Sequence, residues 1–406
     1  MADIQPFHVM EILKRAHELA AAGRDIIHLE VGEPDFPSPP PIVEAAQRFL
    51  SGGHVHYTPA LGLTALREAI ARFYLDRFGA DVAPERIVVT PGASGALMLA
   101  LAVLTDPGDE WLQPDPGYPS NRHLVRSFEG VSKALPVDAT TRFQPTPAAV
   151  AAAWTPRTRG LMVASPANPT GTLLELDEIV ALQQAVTARG GVLIVDEIYQ
   201  GLNYGVEAST ALSRLDDVFV VNSFSKYFGM TGWRLGWMVA PQAYVREIEK
   251  LAQHFFISAS TPAQHAALAA FAPGTLDLLE ARRHALGERK ALLKSGDRAA
   301  GAAGSGATRA GTAPLTERPH VFEQRLVLRA AGGVQGFVHA VLLKAHQEGV
   351  RAVSPPRPTT FPRRIRGRLG KRPRSQGEEG LSGVSPFHGN SLPDAQARGV
   401  DQKSVV

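Results

Sequence analysis

The sequence predicts an α/β protein built on a mostly parallel sheet. Short apolar runs alternate with amphipathic helical segments between residues 86 and 252, which is the pattern of repeated strand–helix units. The apolar runs, such as 192–195, do not alternate with polar residues, so they suit strands that helices cover on both faces. Ligands of such sheets bind beyond the carboxyl ends of the strands.

The individual elements follow from two patterns. Apolar residues that recur with a period of 3.6 predict helices, and short continuous apolar runs predict buried strands. The predicted helices cover residues 6–23, 63–78, 97–104, 175–190, 241–256, 263–271 and 277–290. The predicted strands cover residues 26–31, 86–90, 110–113, 131–137, 160–164, 192–195, 218–221 and 235–240.

The composition limits the class of protein. A chain of 406 residues can bury a large core in more than one domain. It has no cysteine, so disulfides and thiolate chemistry are excluded, which fits a reducing cytoplasm. We see no secretory signal in residues 1–24 and no apolar run of membrane-helix length. We therefore expect a cytoplasmic protein with no membrane partner.

A stretch at residues 221–237 carries the first candidate chemistry. Lys226 lies between two apolar runs, and Arg234 follows eight residues later. Burial and a neighbouring cation both lower the pKa of an amine, and a neutral amine attacks carbonyls. Arg234 can bind a dianion such as phosphate through two parallel hydrogen bonds. The alternative is an ordinary exposed loop with a solvated lysine.

A second stretch predicts an anion site. The strand at 86–90 leads into a turn of small residues at 91–96 and then a helix. Free backbone N–H groups and the positive helix end converge there, and small residues let a phosphate approach. The residues assigned to this phosphate are Gly92 (the turn glycine), Ala93 and Ser94, with Arg234 as a further donor.

The stretch around Lys226 resembles the lysine motif of the fold-type I, pyridoxal-phosphate-dependent aminotransferases of class I and II, the aspartate aminotransferase superfamily. The resemblance runs from about residue 4 to about residue 290. It implies a three-layer large domain in which Lys226 carries pyridoxal 5'-phosphate as a Schiff base, while Arg234 and Ser223 hold the phosphate. It also implies transfer of an amino group between an α-amino acid and a 2-oxo acid.

The resemblance assigns further residues to the cofactor ring. Asp196 ends a buried strand, where a carboxylate is costly unless paired, and a protonated pyridine nitrogen is a natural partner. By resemblance, Tyr199 and Asn168 bond the phenolic oxygen, and Tyr118 stacks on the ring. A tyrosine that only packs in its turn is the alternative for Tyr118.

Two assignments concern the substrate and a second subunit. The resemblance implies that the backbone of Gly32, and also Asn168, contact the substrate. It implies that Tyr57 reaches the cofactor phosphate of a neighbouring subunit, so the enzyme is a homodimer.

The resemblance divides the chain into three parts. Residues 1–45 form an N-terminal arm and part of a small domain, and residues 46–292 form the cofactor-binding large domain. Residues 293–406 are basic and of low complexity, and we expect a disordered tail in place of the C-terminal small domain. In the family, an arginine of the small domain binds the substrate carboxylate, and no residue of 293–406 matches the motif around it. The arginines present there are Arg351, Arg357, Arg363 and Arg364, and none lies in a recognisable motif.

Several interpretations of this C-terminal part remain open. It is an out-of-frame translation of a GC-rich gene, a divergent small domain, or a basic tail that binds nucleic acid, the weakest of the three. The function has alternatives too. Without the small domain the chain binds the cofactor with little or no turnover, or it is a related lyase on the same scaffold.

Overall fold

A seven-stranded sheet forms the centre of the computed structural model, which describes residues 4–26, 28 and 31–305, with backbone only for 292–305. The strands are β1 (Ile87–Thr90), β2 (Glu110–Asp115), β3 (Val131–Pro136), β4 (Thr158–Ala164), β5 (Val192–Asp196), β6 (Phe219–Ser223) and β7 (Gly236–Val239). Their order is β1-β7-β6-β5-β4-β2-β3. β7 runs antiparallel to both neighbours, and the other pairs are parallel. The predicted α/β class is confirmed.

The chain also forms α-helices, several of which pack on the two faces of this sheet. They are α1 (His8–Ala21), α2 (Pro40–Ser51), α3 (Thr64–Phe78), α4 (Gly92–Leu104), α5 (Pro119–Ser127), α6 (Pro147–Ala153), α7 (Leu176–Thr187), α8 (Gln242–Phe255), α9 (Thr261–Leu268) and α10 (Pro273–Ser305). Local sequence sets several of their ends. Gly79 ends α3 in the left-handed conformation, and Glu175 and Glu178 form a capping box at the start of α7.

The core lies in two layers on opposite sides of the sheet. Leu193 and Val195 of β5 face a cluster that includes α3, α7 and α9, whereas Ile194 faces α4 and α8. Burying each such side chain stabilises the fold by about 1.5–3 kcal/mol. Because successive strand residues point to opposite faces, a continuous apolar run contributes side chains to both layers of the core. The expected three-layer architecture is confirmed.

The structure corrects some predicted elements. The strand predicted at 26–31 is not formed at Ile26, His28 or Val31, and the other three residues lie outside the described ones. An apolar run becomes a strand only where a neighbouring strand pairs with it. Helix α4 begins at Gly92 rather than at Leu97, so the predicted small-residue turn is itself the first turn of the helix.

Three helices were not predicted from the sequence. Each of α2, α5 and α6 has a proline in its first turn. Proline fits that position because its missing N–H would be unpaired there, but the same residue is also a common turn signal. The predictions made for residues 306–406, including all four arginines named above, lie outside the residues that the structure describes. Within the described ranges no helix is both long and apolar enough to cross a membrane.

Candidate active site

The candidate residues converge at the carboxyl ends of adjacent strands. β5 ends at Asp196 and its parallel neighbour β6 ends at Ser223. Lys226 follows Ser223 by three residues, so its amine and the Asp196 carboxylate belong to the same edge of the sheet. The next parallel strand, β4, leads into the loop that carries Asn168.

The Lys226 amine is held in a nearly closed environment. It donates a hydrogen bond of 2.6 Å to the carbonyl oxygen of Gly32 and lies 5.6 Å from the centre of the Tyr199 ring. Burial lowers the pKa of Lys226; the nearby Arg234 lowers it further, and the carboxylates of Glu33 and Asp196 offset part of that shift. The amine therefore loses its proton more readily than an ordinary lysine, as a nucleophile requires.

Asp196 is a buried carboxyl that forms no salt bridge with any residue in the described part of the chain. It is 7% exposed, and one oxygen accepts a 3.0 Å hydrogen bond from the backbone N–H of Ile198. Burial raises the pKa of Asp196 to about 6, although that hydrogen bond and the charge of Lys226 oppose the shift. A cationic ring nitrogen placed here would remove this desolvation cost.

Tyr199 and Asn168 meet above the same edge. The Asn168 amide donates to the Tyr199 hydroxyl over 3.4 Å. Burial raises the pKa of Tyr199, and the neighbouring Asp196 and Tyr118 raise it further, so its hydroxyl stays a proton donor at neutral pH. Tyr118 immediately precedes α5, and its ring meets that of Phe7 edge-on at 5.9 Å.

The predicted phosphate residues meet at the start of α4. A Cβ added to Gly92 would lie 2.6 Å from a terminal nitrogen of Arg234, and one added to Gly236 would lie 2.7 Å from the Ala93 nitrogen. Glycine at both positions therefore lets the guanidinium and β7 approach the helix N-terminus closely. Ser94, in the first turn, is exposed. The positive helix end and the arginine together favour a dianion.

Ser223 makes internal contacts in this arrangement. Its hydroxyl oxygen lies 3.1 Å from the Leu235 carbonyl oxygen and 2.9 Å from the Ser225 hydroxyl, and it accepts from the Ser225 N–H. It is 1% exposed, so here it braces the lysine loop, and its contact with phosphate stays a prediction. Tyr57, by contrast, is 79% exposed, as a residue that serves a second subunit would be.

Some polar residues around the site were missed from the sequence. Gln200 donates to the Ser165 carbonyl and Gln144 to the Ala164 carbonyl, so both brace the loop that carries Asn168. Glu197 is buried beside Asp196, with one oxygen accepting from the Ala211 N–H, and burial raises its pKa to about 8. A polar residue in a loop gives no local signal of such contacts. In the described part of the chain, no cluster of His, Asp or Glu is suited to a metal.

Comparison with known proteins agrees with this geometry. The family model for aminotransferase class I and II matches residues 24–311. The fold is that of the pyridoxal-phosphate-dependent transaminases of fold type I. The chain belongs to the class I and II aminotransferase family.

Its relatives carry different substrate names. The chain is 39% identical over 274 residues to the valine–pyruvate aminotransferase of Mycobacterium tuberculosis, covering 67% of this chain and 70% of that protein. It is 35% identical over 298 residues to the aspartate aminotransferase of Geobacillus stearothermophilus, covering 72% and 76%.

Solved structures show the same fold. An aminotransferase from Mycobacterium tuberculosis superposes with a TM-score of 0.71 at 37% identity, covering 73% of this chain and 77% of that one. Aspartate aminotransferase from Thermus thermophilus with maleate gives 0.70 at 34% identity, covering 73% and 79%.

The residues present fit pyridoxal phosphate, the cofactor of this family. The partly buried amine of Lys226, whose pKa is lowered, suits the aldehyde, and the buried carboxyl of Asp196 suits the ring nitrogen. The close approach of Arg234 to Gly92 at a helix N-terminus suits the phosphate.

Proposed function

We propose that this chain transfers an amino group between an α-amino acid and a 2-oxo acid, with Lys226 bound covalently to pyridoxal phosphate. The observation that carries the proposal is the placement of a partly buried lysine of lowered pKa and a buried carboxyl at the ends of adjacent parallel strands. The cofactor supplies an electron sink for the bonds at the substrate α-carbon.

Lys226 has two roles in this proposal. As a neutral amine it would form the covalent bond to the cofactor aldehyde, with release of water. When it is not bound to the cofactor, the same nitrogen would take the proton from the substrate α-carbon and later return it. The hydrogen bond to the Gly32 carbonyl keeps the amine at this edge of the sheet. The Gly32 backbone, with Asn168, orients the substrate carboxylate.

Four other side chains tune and orient the ring. Asp196 pairs with the ring nitrogen and keeps it protonated. Tyr199 and Asn168, which already contact each other, donate to the phenolic oxygen. Tyr118 lies against the ring face, where stacking adds about 1 kcal/mol and fixes the ring plane.

The phosphate is held at the start of α4. Arg234 and the backbone N–H groups of Ala93 and Ser94 are the main donors, Gly92 permits their approach, and the Ser223 hydroxyl adds to them. Tyr57 of a second copy completes the site, so the active form is a homodimer. The exposure of Tyr57 supports this assignment.

The same assignments give the domain division. Residues 46–292 form the cofactor-binding large domain, and residues 1–45 form the N-terminal arm with part of a small domain. The relatives' names include valine, aspartate and pyruvate, so the proposed substrate class is an α-amino acid with a 2-oxo acid acceptor.

A single-turnover assay tests the proposal. The cofactor-loaded chain is mixed with valine or with aspartate, and the 2-oxo acid released is quantified against the protein present. We expect up to one equivalent from the wild type and none from Lys226→Ala. Cofactor binding with no 2-oxo acid from any amino acid would instead support a cofactor-binding chain without turnover.

A further inference from the structure

The side chain of Tyr227, the residue after Lys226, packs against the loop that follows Asp196. Gly201 in that loop has φ +93°, and a Cβ added to it would lie 2.8 Å from the Tyr227 ring. Gly201 comes two residues after Tyr199. The ring therefore fixes the lysine loop against the segment that carries Asp196 and Tyr199.

The Tyr227 hydroxyl joins this packing to two helices. It donates a 2.6 Å hydrogen bond to Glu280 of α10 and accepts one of 3.1 Å from Arg77 of α3. Arg77 also donates to Glu280 over 2.8 Å, and its guanidinium lies 4.7 Å from the centre of the Tyr227 ring. The tyrosine is 5% exposed, whereas the side chains of Arg77 and Glu280 are partly buried.

A second path leads from α10 back to the same loop. Arg283 donates 2.7 Å to the other oxygen of Glu280 and 3.2 Å to the Asn203 carbonyl. The Asn203 side chain in turn accepts from the Gly201 N–H at 3.1 Å. These packing contacts and hydrogen bonds form one network, which we call the Tyr227 cluster. Its members are Arg77, Gly201, Asn203, Tyr227, Glu280 and Arg283.

The negative charge of Glu280 strengthens the hydrogen bonds of this cluster. Burial alone would raise the pKa of Glu280, but hydrogen bonds from Tyr227, Arg283 and Arg77 lower it to about 2. Glu280 is therefore ionised at neutral pH, and hydrogen bonds to a carboxylate are shorter and stronger than neutral ones.

We infer that Tyr227 and Glu280 are positioning residues for the proposed reaction: through Gly201 and Arg283 they hold the Lys226 amine in place relative to Asp196 and Tyr199. The inference rests on the proposed function. Tyr227 acts through its neighbour, and an error of about 1 Å in the position of a reacting group can cost about 100-fold in rate.

The test uses Tyr227→Phe, which keeps the ring and removes the hydroxyl, and Glu280→Gln, which keeps the shape and removes the charge. Tyr244→Phe is the matched control, because Tyr244 packs on Phe219 in the layer of α4 and α8. The first readout is the labelling rate of Lys226 by an amine-reactive anhydride in the cofactor-free protein, measured by peptide mass spectrometry. The second is kcat and KM of the cofactor-loaded protein.

Loosening the cluster admits water to Lys226 and moves its pKa toward the ordinary lysine value. We expect Tyr227→Phe and Glu280→Gln to label about threefold more slowly at pH 8, because a better solvated amine keeps its proton more readily. We expect kcat to fall about 10-fold with KM within about twofold. The double variant should match the single ones, since both act through one contact.

Wild-type labelling and wild-type kcat in both variants would overturn the inference, even if their melting temperatures fall, because the cluster would then only stabilise the fold. Equal effects in Tyr244→Phe would also overturn it. The labelling needs no cofactor and no turnover. A wild type that fails to turn over would therefore contradict the proposed function, while the labelling rates would still decide whether the cluster positions the amine.

Discussion

The amine of Lys226 donates a 2.6 Å hydrogen bond to the main-chain carbonyl of Gly32, a residue 194 positions earlier in the chain. This bond connects the segment before α2 with the loop after β6. Thr231, in that same loop, also donates to the Glu33 side chain. The N-terminal segment therefore covers the lysine, which explains why burial is the main cause of its lowered pKa.

The buried carboxyl of Asp196 predicts a pH dependence of stability in the cofactor-free protein. Its pKa rises from 3.8 in the unfolded chain to about 6 in the fold, so the folded state binds more protons between these values. The free energy of unfolding should then fall as pH rises from about 4 to about 6, by on the order of 3 kcal/mol from this group.

Asp196→Asn should remove that dependence, which denaturant unfolding at a series of pH values measures. The variant should be more stable than the wild type at pH 7 without cofactor, and it should bind the cofactor more weakly. A wild type and variant with parallel stability curves between pH 4 and pH 6 would contradict the assignment.

The contact of Gly92 with Arg234 predicts a defect in cofactor binding. In Gly92→Ala the methyl group would displace the guanidinium, and φ +72° is unfavourable for alanine. We expect a loss of about 1–2 kcal/mol in the free energy of unfolding and at least about a tenfold rise in the cofactor Kd, since one charged hydrogen bond contributes about 1.5–3 kcal/mol.

Gly232→Ala is the control for that variant. Gly232 lies in the same segment as Arg234, and a Cβ there would meet nothing within 4 Å. Its cofactor Kd should stay at the wild-type value. An unchanged Kd in Gly92→Ala would show that the phosphate binds elsewhere.

Glu110 predicts a stability effect that is independent of the site. It lies at the start of β2, where its carboxylate accepts from Thr155 and pairs with Arg157 and Lys133. The hydrogen bond from Thr155 is the main cause that lowers the pKa of Glu110 to about 2, against the opposing effect of burial. Its stabilisation is complete above pH 4.5 and is lost as pH falls toward 2.

Glu110→Gln should therefore unfold more easily at pH 7, by about 1–3 kcal/mol, and the difference from the wild type should shrink below pH 4.5. Chemical denaturation at pH 7 and at pH 3 measures both. Cofactor binding should not change. A stability gap that is equal at the two pH values would contradict the role of the charge.

The sequence could predict the sheet and the position of its active edge, because apolar runs without alternation mark buried parallel strands. Asp196 and Lys226 each follow such a run, so their shared edge followed from strand geometry. The contact of Tyr227 with Glu280 joins residues 53 positions apart, and the local sequence around neither residue predicts it. Packing decides such pairs, as it decided against a strand at Ile26.

The most direct test of the account is to locate the cofactor on the chain. The protein is loaded with pyridoxal phosphate, reduced with borohydride, digested and mapped by mass spectrometry. We predict one phosphopyridoxyl group per chain, on Lys226, and none on the same chain carrying Lys226→Ala. A group spread over surface lysines, or one still present in Lys226→Ala at wild-type yield, would contradict the central claim.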